Sequence, residues 1–140
     1  LMVRIGLLSD THSFLDPLLL PVLEDCDEIW HAGDLGSLAL LQQLRNLKKP
    51  LRVVYGNIDG HDIRIDVPQY LIWKVEKMKI KPDVYICGHS HILKVIYDKQ
   101  LQLLHINPGA CGREGFQKVR TMIRFTIDQD KVKDLAIIEM

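Results

Sequence analysis

Three short apolar runs limit what this chain can become. VRIGLLS (3–9), DEIWHAG (27–33) and LRVVYGN (51–57) each have the length and branched content of a buried strand. Two segments with helical signals separate them. DPLLLPVLEDC (16–26) carries Pro17 at or near a first turn, and Pro21 must share that turn or kink the helix. SLALLQQLRNL (37–47) repeats Leu at 38, 41 and 44, widened by Ala39, Leu40 and Leu47, behind Ser37 as a candidate N-cap. Strand, helix, strand, helix, strand predicts a parallel βαβαβ unit with right-handed crossovers.

After residue 83 the signals are strands alone. DVYIC (83–87), LKVIYD (93–98), LQLLHIN (101–107), VRTMIRFTID (119–128) and KVKDLAIIEM (131–140) are joined by short turns, with DKQ and DQDK reading as hairpin connections. In 119–128 apolar and polar residues alternate, which predicts one buried face. A parallel half followed by an antiparallel half predicts an α/β fold of two packed sheets with helices outside. The 140 residues suffice for one domain with its own core.

Composition closes off several functions. Net charge is zero and there is no basic block, so a surface for long nucleic acids is not expected. No apolar run approaches ~20 residues, so no membrane span is expected. The first residues read as a strand rather than a secretion signal, which predicts a cytoplasmic protein. Cys26, Cys87 and Cys111 are odd in number and lack metal-ligand spacing, which predicts reduced thiols.

The chemistry sits where the strands end. The first run ends in Asp10 and His12, the second in Asp34, the third in Asn57 and Asp59, and the later strand 83–87 in His89 and His91. In open α/β sheets ligands bind beyond these carboxyl ends. Asp10 and His12 are two apart, as are His89 and His91, and extended backbone would aim both members of each pair one way. Gly33, Gly56 and Gly88 each precede a candidate ligand, permitting a sharp turn or a close backbone approach. Each motif alone is more often a polar turn. Together, a mixed Asp/His/Asn set suits divalent ions such as Mn²⁺, Zn²⁺ or Fe²⁺ better than Ca²⁺.

DTHS (10–13), GD (33–34), GNID (56–59) and GHSH (88–91), with NPGA (107–110) behind them, resemble the calcineurin-like metallophosphoesterases, and within these the small bacterial phosphodiesterase branch. The resemblance spans nearly the whole chain. It implies a four-layer α/β/β/α sandwich of two mixed sheets and two divalent metal ions, Mn²⁺ first, with Zn²⁺, Fe²⁺ or Ni²⁺ as alternatives. It implies that Asp10, His12 and His91 ligate one metal, Asn57 and His89 the other, and that Asp34 bridges them. It further implies hydrolysis of a small phosphodiester or phosphate ester by a metal-bridging hydroxide, with Asp34, Asn57 and His89 at the reacting centre. The alternative on the same fold is a non-catalytic metal-binding scaffold acting through protein–protein contacts. A homo-oligomer is compatible with either.

The chain departs from the family twice. Many members have a histidine directly after the metal-binding Asn; here Ile58 stands there and cannot move a proton. Asp59 is the remaining candidate, through a water; its other reading is a turn-stabilising carboxylate. The family also carries a strand, a histidine-bearing loop and a helix between GN.D and GHSH. VPQYLIWKVEKMKIKPDV (67–84) has no room for them: YLIWKVE reads as one strand and KMKIKP as the end of a helix joined abruptly to it. The segment near 76–80 is either part of the protein but not of this 140-residue sequence, which is the preferred reading, or truly deleted with damage to the second metal site. Among the other polar residues, His31 is expected to support the metal loop, His105 to be structural, and Arg113 is a candidate for substrate phosphate.

Overall fold

The computed structural model of the chain describes residues 2–73 and 81–140. Its elements are β1 (Met2–Leu8), α1 (Leu20–Glu24), β2 (Glu28–His31), α2 (Leu38–Arg45), β3 (Leu51–Val53), α3 (His61–Arg64), β4 (Val84–Ile86), β5 (Lys94–Asp98), β6 (Leu103–Asn107), β7 (Thr121–Asp128) and β8 (Lys131–Glu139). The larger sheet runs β3-β2-β1-β7-β8 and the smaller β4-β6-β5.

The first half folds as its periodicity predicts. β1 pairs in parallel with β2, and β2 with β3. Ser37 caps α2 by accepting a hydrogen bond from Leu40 N at 3.3 Å, and Leu40, Leu41 and Leu44 of that helix are buried. The prolines are accommodated by splitting the first helical segment. Asp16 accepts from Leu18 N at 2.9 Å, a 3-10 turn covers Pro17–Leu19, and α1 then restarts with Pro21 in its own first turn, where no intrahelical N–H is required.

The second half does not stay together. β7 leaves the strands that precede it, β4 to β6, and pairs antiparallel with β1, Leu7 facing Ile123 and Val3 facing Ile127, while β8 pairs with β7 as the outermost strand. Both sheets are therefore mixed. β7 lies inside the larger sheet and is buried on both faces, not one as its alternation predicts. Met122 joins the core beneath the helices, with Leu8, Ile29 and Val53. Ile123, Phe125 and Ile127 pack with Ile5 and Leu7 of the same sheet and with Ile106 of the smaller one. Burial of each such side chain contributes roughly 1.5–3 kcal/mol.

All helices among the described residues pack on one face of the larger sheet, through Leu19, Leu23, Leu40, Leu44 and Ile63. The outer face of the smaller sheet, with Tyr85 and Ile96, is exposed. Residues 70–73, expected to begin a strand, are irregular, with Tyr70, Leu71 and Ile72 exposed. The expected discontinuity near 76–80 lies outside the described residues. α3 was not expected; His61 opens it and is exposed.

Candidate metal centre

The loops after β1 and β2 are stitched together by their backbones. Asp10 N donates to Gly33 O at 3.0 Å, His12 N to Asp34 O at 3.2 Å and Ser13 N to Leu35 O at 2.7 Å. The 107–112 segment closes over them, with Gly112 N donating to Asp10 O at 3.1 Å. Within this frame the candidate ligands do not have the extended backbone that their spacing predicts. Asp10, His12, Asp34, His89 and His91 all have left-handed φ, between 45° and 73°. Such a conformation costs a non-glycine residue on the order of 1–3 kcal/mol and persists where the surroundings enforce it. The pairs therefore converge because each chain turns sharply at its ligands.

Two glycines permit the approach. A Cβ on Gly56 would collide with Asp34 Oδ1 and Asp34 N, and one on Gly88 with Ser9 Oγ. Both positions need a missing side chain, not an unusual φ.

One group of ligand atoms comes from Asp10, His12 and His91, all within 4.8 Å of one another. Asp10 is fully buried. Its carboxylate accepts Ser9 Oγ at 3.0 Å and His89 N at 3.1 and 3.0 Å, and His91 Nε2 lies 3.6 Å from Oδ1. Burial pushes the Asp10 carboxyl up to about 6; the Ser9 bond and His91 oppose this, and the Asp34 charge adds to it. His12 Nε2 is buried with no hydrogen-bond partner among the described residues. A buried imidazole nitrogen beside a raised carboxylate is what a cation would satisfy.

The second group joins Asp34, Asn57 and His89. His89 Nδ1 lies 3.5 Å from Asp34 Oδ2. One terminal atom of the Asn57 carboxamide sits 2.9 Å from His89 Nδ1 and 3.1 Å from each Asp34 oxygen. With nitrogen there, these are hydrogen bonds. With oxygen there, it faces both Asp34 carboxylate oxygens, an arrangement that a bound cation would reconcile. The His89 side chain is 76% exposed whereas that of His91 is 11%, so the second group is the open side of the site. The two histidines of GHSH thus point at different groups and offer different nitrogens. Asp10, His12 and His91 fit a divalent ion, and Asp34, Asn57 and His89 form a second polar group.

Asp59 takes the second of its two expected roles. Its carboxylate accepts Leu35 N at 3.1 Å, Gly36 N at 2.9 Å and Gly56 N at 2.8 Å, and the residue is buried. It ties the Asp34 loop to the Asn57 loop, and both oxygens are committed to backbone amides. These contacts favour the turn-stabilising reading of Asp59 over the passing of a proton through a water. Arg64 completes the clamp from α3, donating Nε to Asp59 O at 2.6 Å and Nη2 to Asn57 O at 3.2 Å.

His31 is buried behind these loops. Gly33 N donates to its Nδ1 at 3.1 Å, so the ring proton is on Nε2, which meets Thr11 Oγ1 at 3.0 Å; that hydroxyl donates to Leu35 O at 3.1 Å. Burial lowers the His31 pKa to about 4, so the ring is neutral. Arg113 stacks on Phe14 at 3.9 Å, and His105 Nε2 lies 3.2 Å from Cys87 Sγ in the smaller sheet. All three cysteines are free thiols.

Sequence reasoning did not pick out Gln117, whose Oε1 lies 3.0 Å from His91 Nδ1. Nothing local marks it: it sits in an irregular loop, 26 residues from its partner.

A mixed two-sheet sandwich with an Asp/His/Asn rim at the carboxyl ends of its parallel strands defines a class of metal-binding α/β domain. The calcineurin-like phosphoesterase superfamily domain matches residues 3–81 and 74–130, and the chain belongs to that family. A phosphodiesterase of Methanocaldococcus jannaschii is 28% identical over 142 aligned residues that take in 78% of this chain and 84% of the relative. A structure of vacuolar protein sorting 29 from Cryptosporidium parvum superposes with a TM-score of 0.74 at 16% identity, covering 99% of this chain and 98% of that one. A structure described as a novel archaeal phosphodiesterase superposes with a TM-score of 0.71 at 24% identity, covering 98% and 99%. These two structures bear on the fold alone.

Proposed function

We propose that this chain is a metal-dependent phosphoesterase, a phosphodiesterase by preference, acting on small phosphodiesters or phosphate esters with two divalent cations. Asp10, His12 and His91 hold the first, Asn57 and His89 the second, and Asp34 contacts both. Mn²⁺ is the first choice for this donor set. The observation that carries this reading is the pair of adjoining acceptor groups, one containing the unpartnered His12 Nε2. Family membership and the phosphodiesterase relative support it.

When bound, the two cations supply acidification of a shared water and offset of phosphoryl charge. The chain's own residues set the geometry. Asp59 and Arg64 hold the Asp34 and Asn57 loops in register, and exposed His89 borders the side from which a phosphate enters. Ile58 offers no proton to the leaving group, and Asp59 is occupied. Esters whose leaving oxygen departs without protonation, such as aryl phosphodiesters, are the better substrates.

The test is hydrolysis of bis(p-nitrophenyl) phosphate with added Mn²⁺, compared between the native chain and Asp34→Asn. Turnover that falls at least a hundredfold in the variant supports the proposal, and equal turnover defeats it. The second reading, a metal-binding scaffold, is favoured by the exposed apolar residues Tyr85 and Ile96 on the smaller sheet. Mn²⁺ binding without turnover selects it.

A strand-loop-helix segment between Asn57 and His89 belongs, in this reading, to the protein but not to the 140 residues. The family match falls in two overlapping pieces, 3–81 and 74–130, as either an absent or a deleted segment requires. An intact mass several kDa above 16.1 kDa is expected, and a mass at 16.1 kDa rejects it.

A further inference from the structure

We propose that Gln117 sets the tautomer of His91 and thereby turns the lone pair of Nε2 toward the first metal position; this rests on the metal-site reading above. The Gln117 carboxamide is oriented by its surroundings. Its Nε2 donates to two backbone carbonyls, Gly112 O at 3.0 Å and Glu114 O at 2.6 Å. Turned over, its oxygen would face both carbonyls, so Oε1 is fixed on the other side, 3.0 Å from His91 Nδ1. A carboxamide oxygen accepts only, so Nδ1 carries the hydrogen of the neutral ring. The lone pair is then on Nε2, 3.6 Å from Asp10 Oδ1 and within the group formed with His12.

The loop is shaped around this bond. Gly115 has φ +111°, and a Cβ there would strike His91 Nδ1 and Gln117 Oε1. Phe116 stacks along the imidazole, its plane 23° from that of His91 with centroids 6.3 Å apart. The 112–117 loop therefore fixes both the plane and the protonated nitrogen of His91. Without Gln117 the ring is free to carry its hydrogen on Nε2, the tautomer an isolated histidine prefers, and an N–H would point where the cation belongs. Gln117 is a positioning residue; it acts through His91.

Long-range ¹H–¹⁵N spectra of metal-free, ¹⁵N-labelled protein at pH 8 read the tautomer directly. The native chain is expected to show His91 protonated at Nδ1, and Gln117→Leu to shift the ring toward Nε2–H. Mn²⁺ titration of the same samples is expected to show about 10–100-fold weaker binding in Gln117→Leu. A native His91 protonated at Nε2 overturns the inference, as does a Gln117→Leu protein in which either the tautomer or the Mn²⁺ affinity is unchanged. If Gln117→Leu does not fold, the native spectrum alone decides. A native chain with the Nδ1–H tautomer that binds no Mn²⁺ overturns the metal site itself, a failure distinct from that of the tautomer assignment.

Discussion

The backbone N–H of His89 donates to both carboxylate oxygens of Asp10, at 3.1 and 3.0 Å, across 79 residues of sequence. This one contact joins the strand end of the larger sheet to the strand end of the smaller. It also fixes the two candidate metal positions relative to each other, because Asp10 belongs to one and His89 to the other.

Gly88→Ala tests the seam. Its Cβ would collide with Ser9 Oγ and come within 3.1 Å of Asp10 Oδ2 and Ala32 O. Overpacking of this kind costs about 1–3 kcal/mol. Urea denaturation is expected to show that loss, and Mn²⁺ titration a drop in affinity of at least tenfold. A variant as stable and as tight-binding as the native chain would contradict the described approach of the two loops.

Asp59→Asn separates a clamp from a proton donor. The substitution places an amide nitrogen against one or more of the backbone N–H groups of Leu35, Gly36 and Gly56. A lost charge-assisted bond with an unsatisfied donor costs on the order of 2–3 kcal/mol. Thermal unfolding is expected to show that cost. Turnover of aryl and alkyl esters is expected to fall in equal proportion. A selective loss on alkyl esters, with stability unchanged, would return Asp59 to the acid role.

His31 gives the metal-free protein a defined acid sensitivity. Its pKa is lowered from 6.5 to about 4 by burial. The unfolded chain therefore binds this proton between those values while the folded chain does not. Stability from His31 is complete above pH 6.5 and is lost as pH falls toward 4, by about 3 kcal/mol in total. Urea melts in EDTA across pH 4.5 to 8 should show the native chain losing more stability toward acid than His31→Gln does, the raised Asp10 carboxyl acting in the opposite direction in both proteins. Parallel profiles would mean that His31 titrates alike in both states.

Much of this architecture is legible in the residues. Asp10, His12, Asp34, Asn57, His89 and His91 stand out because they follow apolar runs and because glycine precedes three of those positions. The parallel half is legible because α2 repeats Leu at helical spacing. What stays hidden is long-range or conformational. Alternation in 119–128 says strand, but only pairing with β1 and β8 decides that both faces are buried. Two-residue spacing suggests extended backbone at Asp10–His12 and His89–His91, yet left-handed turns supply the convergence, and such turns depend on the loops that enforce them. Gln117 carries no motif at all; its role exists only once the 112–117 loop is folded against His91.

Anomalous scattering from crystals grown with Mn²⁺ tests the central claim most directly. The account predicts two peaks about 3.5–4 Å apart, one among Asp10, His12 and His91 and one among Asn57 and His89, with Asp34 reaching both. A map with no peak between these six residues, or with ions bound elsewhere on the chain, would contradict it.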